Sequence, residues 1–150
     1  MTKSPESVIK KDVIVQFQSR VGNRIRHPSQ WSVEDKGDTF FLRSPDQQAM
    51  ISGYTCTIEG SGSLADFQEL VLSSHSGDWE ESQWADIEVG GIVAKKRYLT
   101  PRDEKADSAW WIYVLTDGDY YHALRINASQ RVMELNGGFY EQIVQTFKGL

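Results

Sequence analysis

The chain has 150 residues, of which 39% are hydrophobic and 25% are charged, a balance typical of one globular domain. Sixteen basic against twenty-one acidic side chains give a formal net charge of −5, which disfavours nucleic acid as a partner. The sequence has no run of about 18 apolar residues that could cross a bilayer, so we expect no membrane insertion.

The first twelve residues, MTKSPESVIKKD, are mostly polar and give little to bury. We therefore predict a flexible N-terminus over 1–12 and a single domain over 13–150. The segment also lacks the apolar centre of a secretory signal, which favours a cytoplasmic location.

Short strands are predicted for the first part of the domain. Apolar residues alternate over 13–17 before Gly22-Asn23, a pattern that predicts a hairpin. Further short strands follow up to residue 58, and Cys56, the only cysteine, lies in the last of them as a small buried side chain. Four basic residues flank the hairpin, and we interpret them as a solvated edge that discourages strand pairing: Arg20, Arg24, Arg26 and His27.

Two helices are predicted. Ser63 is placed as an N-cap with Asp66 three residues later, ahead of an apolar stripe made of Leu64, Phe67, Leu70 and Val71. Near the C-terminus we predict a short helical piece, a break at Asn136-Gly137-Gly138, and a final helix that Gly149 closes. The stripe of that final helix consists of Phe139, Tyr140, Ile143, Val144 and Phe147.

The stretch DWEESQW, which follows the first helix, is predicted to be an acidic loop. Aromatic side chains beside charges often anchor protein interfaces, so Trp79, Glu80, Glu81 and Trp84 are candidate partner-binding residues. The alternative is that Trp79 folds back onto the sheet as a cover. Beyond this loop, strand-like sequence surrounds Gly90-Gly91, which predicts a bulge or a tight turn.

The stretch WWIYVLTDGDYYHALRI predicts a hairpin with Asp117-Gly118 as its loop. Side chains alternate along a strand, so one face carries Trp111, Tyr113, Leu115, Tyr120, His122, Leu124 and Ile126. The other face carries Trp110, Ile112, Val114, Tyr121, Ala123 and Arg125. Both faces are apolar, which predicts a central hairpin between two helices, that is, an α+β fold arranged as an α/β/α sandwich with a central antiparallel sheet. Any part of Trp110, Tyr121 and Arg125 left uncovered would mark a binding site.

The order of these elements resembles the Mog/PsbP-like superfamily. The matching features are P-x-x-W at 28–31, SPD at 44–46, VGG at 89–91 and FYEQIVQTFK at 139–148. The resemblance implies an α/β/α sandwich, a bacterial source and a binding role, because its members share no catalytic machinery and bind different partners. It carries over no functional residue, since the matching positions are turn and packing residues.

No reaction is indicated by the residues themselves. The three histidines lie far apart in sequence, no nucleophile or phosphate-loop motif is present, and we predict neither a metal nor a cofactor. We therefore predict a non-catalytic protein-binding or adaptor domain, able to form a homodimer. One alternative is a chaperone or immunity protein of a type VI secretion effector, and another is a small-ligand or enzymatic cavity protein, which a deep closed pocket would favour.

Overall fold

The computed structural model of the protein describes residues 13–59, 62–75, 77–103 and 105–149, so the predicted flexible N-terminus lies outside the described residues. In chain order the strands are β1 (Ile14–Gln18), β2 (Arg24–Pro28), β3 (Ser32–Asp35), β4 (Thr39–Arg43), β5 (Ala49–Thr57), β6 (Trp79–Glu81), β7 (Ala85–Val89), β8 (Ile92–Pro101), β9 (Ser108–Asp117) and β10 (Tyr120–Ser129). The helices are α1 (Leu64–Ser73), between β5 and β6, and α2 (Gln130–Gln145), after β10.

Among the described residues, the main sheet is antiparallel, has eight strands and follows the order β3-β4-β5-β10-β9-β8. Strands β6 and β7 both pair with the outer edge of β8, at successive positions along it. Helix α1 packs on β9 and β10 from one face, and α2 packs on β5, β9 and β10 from the other. The predicted α+β fold with an α/β/α sandwich is therefore confirmed.

The β9–β10 hairpin lies near the middle of this sheet, and its two faces are divided as the sequence predicts. The core beneath α2 includes Tyr113, Leu115, Leu124 and Ile126. The core beneath α1 includes Phe67, Val71, Ile112, Val114 and Ala123. Each large aliphatic side chain that is fully buried contributes about 1.5–3 kcal/mol, so this hairpin stabilises the fold through both of its faces.

The predicted loop of this hairpin is wrong by one residue. The loop is Gly118-Asp119, so that Asp117 pairs with Tyr120 and each β9 residue pairs two positions further along β10 than predicted. Gly118 has a φ of 62°, and it occupies the first loop position, where a type II′ turn requires glycine. A shift of two positions preserves the alternation, which is why the predicted faces still hold.

Helix α1 begins at the predicted cap. The Ser63 hydroxyl accepts a hydrogen bond from the backbone of Asp66, and the Asp66 carboxylate accepts one from the backbone of Ser63, which forms a capping box. Of the predicted apolar stripe, only Phe67 and Val71 are buried, whereas Leu70 is 54% exposed. Leu70 therefore lies outside the buried part of the stripe on which the sequence placed it.

Helix α2 is continuous, so the predicted break at Asn136-Gly137-Gly138 is wrong. Gly137 is buried against Trp111, and a Cβ at this position would lie 2.5 Å from Cη2 of the indole. The missing side chain lets the helix approach the sheet, and this packing offsets the poor helix propensity of glycine. The last residue of the helix is Gln145 and its C-cap is Thr146, so Gly149 does not close it.

Several smaller predictions have mixed outcomes. The Gly22-Asn23 region joins β1 to β2, and Gly90-Gly91 forms a two-residue turn between β7 and β8, as predicted. Within the predicted acidic loop, Trp79–Glu81 is instead the edge strand β6, because its backbone pairs with β8. His27, predicted to be solvated, is 4% exposed, and Cys56 is half-buried rather than buried.

A chain of buried polar side chains links the β1–β2 hairpin to the centre of the sheet. Asn23 accepts a hydrogen bond from the Ser19 hydroxyl at 2.6 Å and donates one to the Thr55 hydroxyl at 2.7 Å. The Thr55 hydroxyl in turn lies 2.8 Å from Nδ1 of His122. His122 is fully buried, with the ring of Phe147 edge-on at a centroid distance of 5.0 Å. Burial lowers the pKa of His122 to about 4, although the nearby Asp117 carboxylate opposes this shift.

Replacing Gly137 with Ala should lower the free energy of unfolding by about 1–2 kcal/mol. The new methyl group displaces the Trp111 ring, and the free-energy cost of this displacement exceeds the gain in helix propensity. Gly138→Ala is the matched control: a Cβ there meets nothing within 4 Å, so stability should rise by about 0.5–1 kcal/mol. Urea denaturation of both variants measures the difference. Equal effects would contradict the close approach of α2 to Trp111.

Stability should fall as the pH decreases from about 6.5 to about 4, because the unfolded chain then binds a proton at His122 that the native state does not bind. The contribution of His122 is about 2–3 kcal/mol over this range. Urea denaturation at a series of pH values should show a smaller loss for His122→Gln than for the native chain. Identical pH profiles would show that His122 does not titrate differently in the two states.

Candidate functional site

A cleft of about 360 Å³ opens on the α1 face of the sheet, between the C-terminal half of α1 and strands β4, β5 and β10. Helix α1 is too short to cover this whole face of the sheet, because its ten residues span about 15 Å and pack on β9 and β10. The cleft lies beside the helix, where this cover ends. The side chains of Ser52 and Ala123 in the floor are small, so the sheet does not fill the space beside the helix.

The two walls of the cleft expose apolar surface. Leu70 projects from α1 with 54% of its surface exposed, and Phe41 of β4 is half-buried on the opposite side. Two cations lie over the Phe41 ring, Lys36 at 5.6 Å and Arg43 at 5.1 Å from its centroid. An apolar rim of this kind favours contact with an apolar group from outside the chain.

Arg125 lies in the cleft and brings a positive charge to it. One terminal nitrogen, Nη2, donates to the carbonyl of Val71 at 3.3 Å, while the buried Nε has no hydrogen-bond partner among the described residues. Arg125 forms no ion pair with any acidic side chain among the described residues. Burial lowers the pKa of Arg125, which is the direction expected for a cation held away from water.

His75 lies close to this cation and packs on Trp110. The His75 ring is edge-on to the Trp110 ring at a centroid distance of 4.5 Å, and its buried Nε2 has no hydrogen-bond partner among the described residues. Burial, followed by the charge of Arg125, lowers the pKa of His75 to about 4. His75 is therefore neutral at pH 7, and Arg125 supplies the charge of this region.

Of the three residues that the sequence left open, the structure exposes two in part. Trp110 and Arg125 are half-buried, but Tyr121 is 4% exposed. The Tyr121 ring stacks on Phe67 at 4.9 Å and its hydroxyl donates to the Gly62 carbonyl at 2.8 Å. Tyr121 therefore supports the core and presents no surface to a partner.

The other predicted site residues lie along the opposite edge of the sheet, on and beside β6. Trp79 and Trp84 are half-buried and pack against the core beneath α1, as the alternative interpretation of Trp79 expects. Arg97 lies over the Trp84 ring at 5.0 Å and forms an ion pair with Glu81 at 3.4 Å. Glu80 is exposed. This acidic edge and the Arg125 cleft are thus separate surfaces, with β9 and β8 between them.

Sequence patterns could not reveal most of the cleft. Its walls come from α1 and β4, which are distant in sequence, and Leu70 fits a buried helical stripe as well as an exposed position. Only Arg125 carried a signal, because a cation interrupts an otherwise apolar face of β10.

Across the described ranges, no group of three or more His, Cys, Asp and Glu side chains converges in a way that could hold a metal ion. Within those same ranges, every helix is too short or too polar to span a bilayer.

Comparisons with known proteins place the fold. No protein-family model matches the chain, and no curated protein matches its sequence. Solved structures do match. Cyanobacterial PsbP from Synechocystis sp. PCC 6803 aligns with a TM-score of 0.67 at 13% identity, covering 91% of this chain and 92% of PsbP. The Ran-binding protein Mog1p of Saccharomyces cerevisiae aligns with a TM-score of 0.60 at 10% identity, covering 92% of this chain and 96% of Mog1p.

A Pseudomonas aeruginosa protein of unknown function aligns over 91% of this chain and 97% of its own, with a TM-score of 0.57 at 14% identity. At such low identities a structural match establishes the architecture and leaves the role of individual residues open. The predicted resemblance is confirmed at that level, and the protein has the Mog/PsbP-like fold.

Proposed function

We propose that this chain is a non-catalytic, cytoplasmic protein-binding domain that holds a segment of a partner protein in the cleft between α1 and β4. The observation that carries the proposal is the combination of an exposed Leu70, a half-buried Phe41 and an arginine without an acidic partner in one open cleft. We infer that the bound segment contributes an apolar side chain and a carboxylate.

The apolar part of the proposal rests on exposed area. Burying the remaining surface of Leu70 would contribute about 1 kcal/mol, and a partner side chain placed between Leu70 and Phe41 would gain a similar amount for its own buried area. Such contacts at the centre of an interface commonly carry most of the binding energy.

The charged part rests on Arg125. A half-buried guanidinium is attracted to a carboxylate more strongly than an exposed one, because less water screens the pair. Its fixed array of N–H donors also matches the two oxygens of a carboxylate. The buried Nε without a partner indicates that the protein itself does not use the full donor capacity of Arg125.

The shape of the cleft favours a protein partner over a small ligand. Its walls include the exposed helix residues Leu70, Ser73 and Ser74, so the cleft is open to solvent along α1 rather than closed. Open sites suit an extended chain segment, whereas small-ligand sites enclose most of their ligand. A protein partner also agrees with the structural neighbour Mog1p, which is a Ran-binding protein.

The acidic edge is a second surface that we assign to the same binding role. Glu80 and Glu81 are exposed on β6, while Trp79 and Trp84 are half-buried beside them. In this assignment the indoles hold the edge in place, and the exposed carboxylates contact the partner. Trp79→Ala tests this assignment, since unchanged partner capture would remove β6 from the binding surface.

Leu70→Asp should reduce capture of the partner at least about tenfold, because it removes an apolar contact and places a charge in the cleft. Leu135→Asp is the matched control, since Leu135 is 64% exposed on α2, across the sheet. The measurement is quantitative mass spectrometry after crosslinking and affinity purification from the native cell. Equal recovery with both variants would contradict the proposal, and a dimer that only Leu70→Asp dissociates would identify the partner as a second copy of this chain.

Arg125→Met should weaken capture while leaving the free energy of unfolding unchanged or raised by about 1 kcal/mol, because a half-buried cation without an acidic partner costs stability. Methionine retains most of the apolar stem of arginine, and urea denaturation gives the stability. Arg131→Met, at an exposed position of α2, is the control. A large loss of stability with unchanged capture would show that Arg125 has a structural role only.

A further inference from the structure

A second cleft, of about 260 Å³, lies on the α2 side of the molecule between the β1–β2 hairpin and the C-terminal segment. Its lining is polar and contains three cations and no acidic residue: Gln16, Arg24, Arg26, Thr146 and Lys148. The protein binding proposed above does not use this cleft.

The backbone fixes the positions of the three cations. The backbone N–H of Arg24 donates to the carbonyl of Lys148 at 2.9 Å, and the N–H of Lys148 donates back at 2.8 Å. The Thr146 hydroxyl accepts from the N–H of Arg26 at 2.8 Å. Arg24 and Lys148 therefore form an antiparallel bridge, in which directly opposite side chains project from the same face.

Arg24 and Arg26 also share that face, because side chains alternate along β2. The pattern is visible in their surroundings: Ile25 and His27 are buried, while both arginines are exposed. The rise of a strand places their Cα atoms about 6.6 Å apart. Both guanidiniums can therefore reach a single group placed between them. The Lys148 ammonium is held at the side of the cleft by the Gly90 carbonyl at 3.0 Å.

None of the three cations forms an ion pair with a described acidic side chain, although the chain carries more acids than bases. Five other cations do form ion pairs: Arg43 with Glu34, Lys95 with Asp86, Lys96 with Glu141, Arg97 with Glu81 and Arg102 with Asp78. Three like charges held in one cleft repel one another, and an anion from outside the chain would neutralise them.

The sequence interpretation of a basic patch around the first hairpin is thereby revised. Arg20 does not belong to the patch, because its backbone N–H and its guanidinium both donate to Asp35. His27 is buried, with Nδ1 2.7 Å from the Pro28 carbonyl. Lys148, near the C-terminus, lies beside Arg24 and Arg26 in the cleft. No local sequence pattern could indicate this contribution.

We propose that Arg24, Arg26 and Lys148 bind the phosphate group of a small phosphomonoester. A phosphomonoester is largely a dianion at pH 7.5, because its second pKa is near 6, and it matches three cations better than a monoanionic carboxylate does. Each guanidinium can bind two phosphate oxygens, and Gln16, which pairs with Arg26 across the hairpin, offers a further amide donor. The volume of the cleft suits a phosphate with a small organic group.

The test is a titration of the full chain with inorganic phosphate and with glycerol 3-phosphate at pH 7.5 and constant ionic strength, followed by nitrogen-15 NMR. Saturable shifts should be confined to residues of this cleft, including the Nε–H signals of Arg24 and Arg26. In the double variant Arg24→Gln, Arg26→Gln the affinity should fall at least tenfold. Arg131→Gln, which changes an exposed arginine on α2, should bind like the native chain.

Two kinds of result would overturn the proposal, namely failure of the soluble probes to bind at these cations and binding to membranes alone. The first is the absence of saturable, localised shifts with both soluble probes, or equal affinity in the double variant. The second is binding only to phosphatidylcholine vesicles that contain phosphatidic acid, with no response to the soluble probes, which would assign the cations to a membrane surface instead. Both arginine side chains are exposed, so the double variant should retain the native thermal unfolding transition.

Discussion

The structure depends on one hairpin that is apolar on both faces. Strands β9 and β10 place Tyr113 and Leu124 on one side and Ile112 and Ala123 on the other, and all four side chains are buried. A sheet with this composition is stable only when both faces are covered. The requirement explains why one helix packs on each face, and why the hairpin lies in the interior of the sheet rather than at an edge.

The two covers are unequal, and this inequality creates the candidate site. Helix α2 has sixteen residues, and the β1–β2 hairpin and Phe147 cover further parts of the same face of the sheet. Helix α1 has only ten residues and packs on β9 and β10. The outer strands therefore keep part of their α1 face open, so Leu70 and Phe41 remain accessible beside Arg125.

The sequence predicted features that depend on local geometry. Alternation assigned the faces of β9 and β10 correctly even though the loop was displaced, because a register shift of two keeps every side chain on its face. The cap at Ser63 depends on neighbours within three residues and was equally predictable. Features decided by distant contacts were not: Gly137 stays helical because Trp111 requires its missing side chain, and the acidic strand β6 forms because β8 offers an unpaired edge. The same limit applies to the Arg125 cleft, whose walls meet only after folding.

The placement of charge distinguishes the two clefts from the rest of the surface. A net charge of −5 repels anions at long range, so an anionic group is held only where positive charge is concentrated and poorly screened. Arg125 meets this condition through burial in one cleft, whereas Arg24, Arg26 and Lys148 meet it through proximity in the other. The sheet separates the clefts, and no hydrogen bond between described residues joins Arg125 to the C-terminal segment that holds Lys148. Under the two proposals above, the cleft on the α1 face would hold a protein segment and the cleft on the α2 side would hold a small phosphorylated molecule.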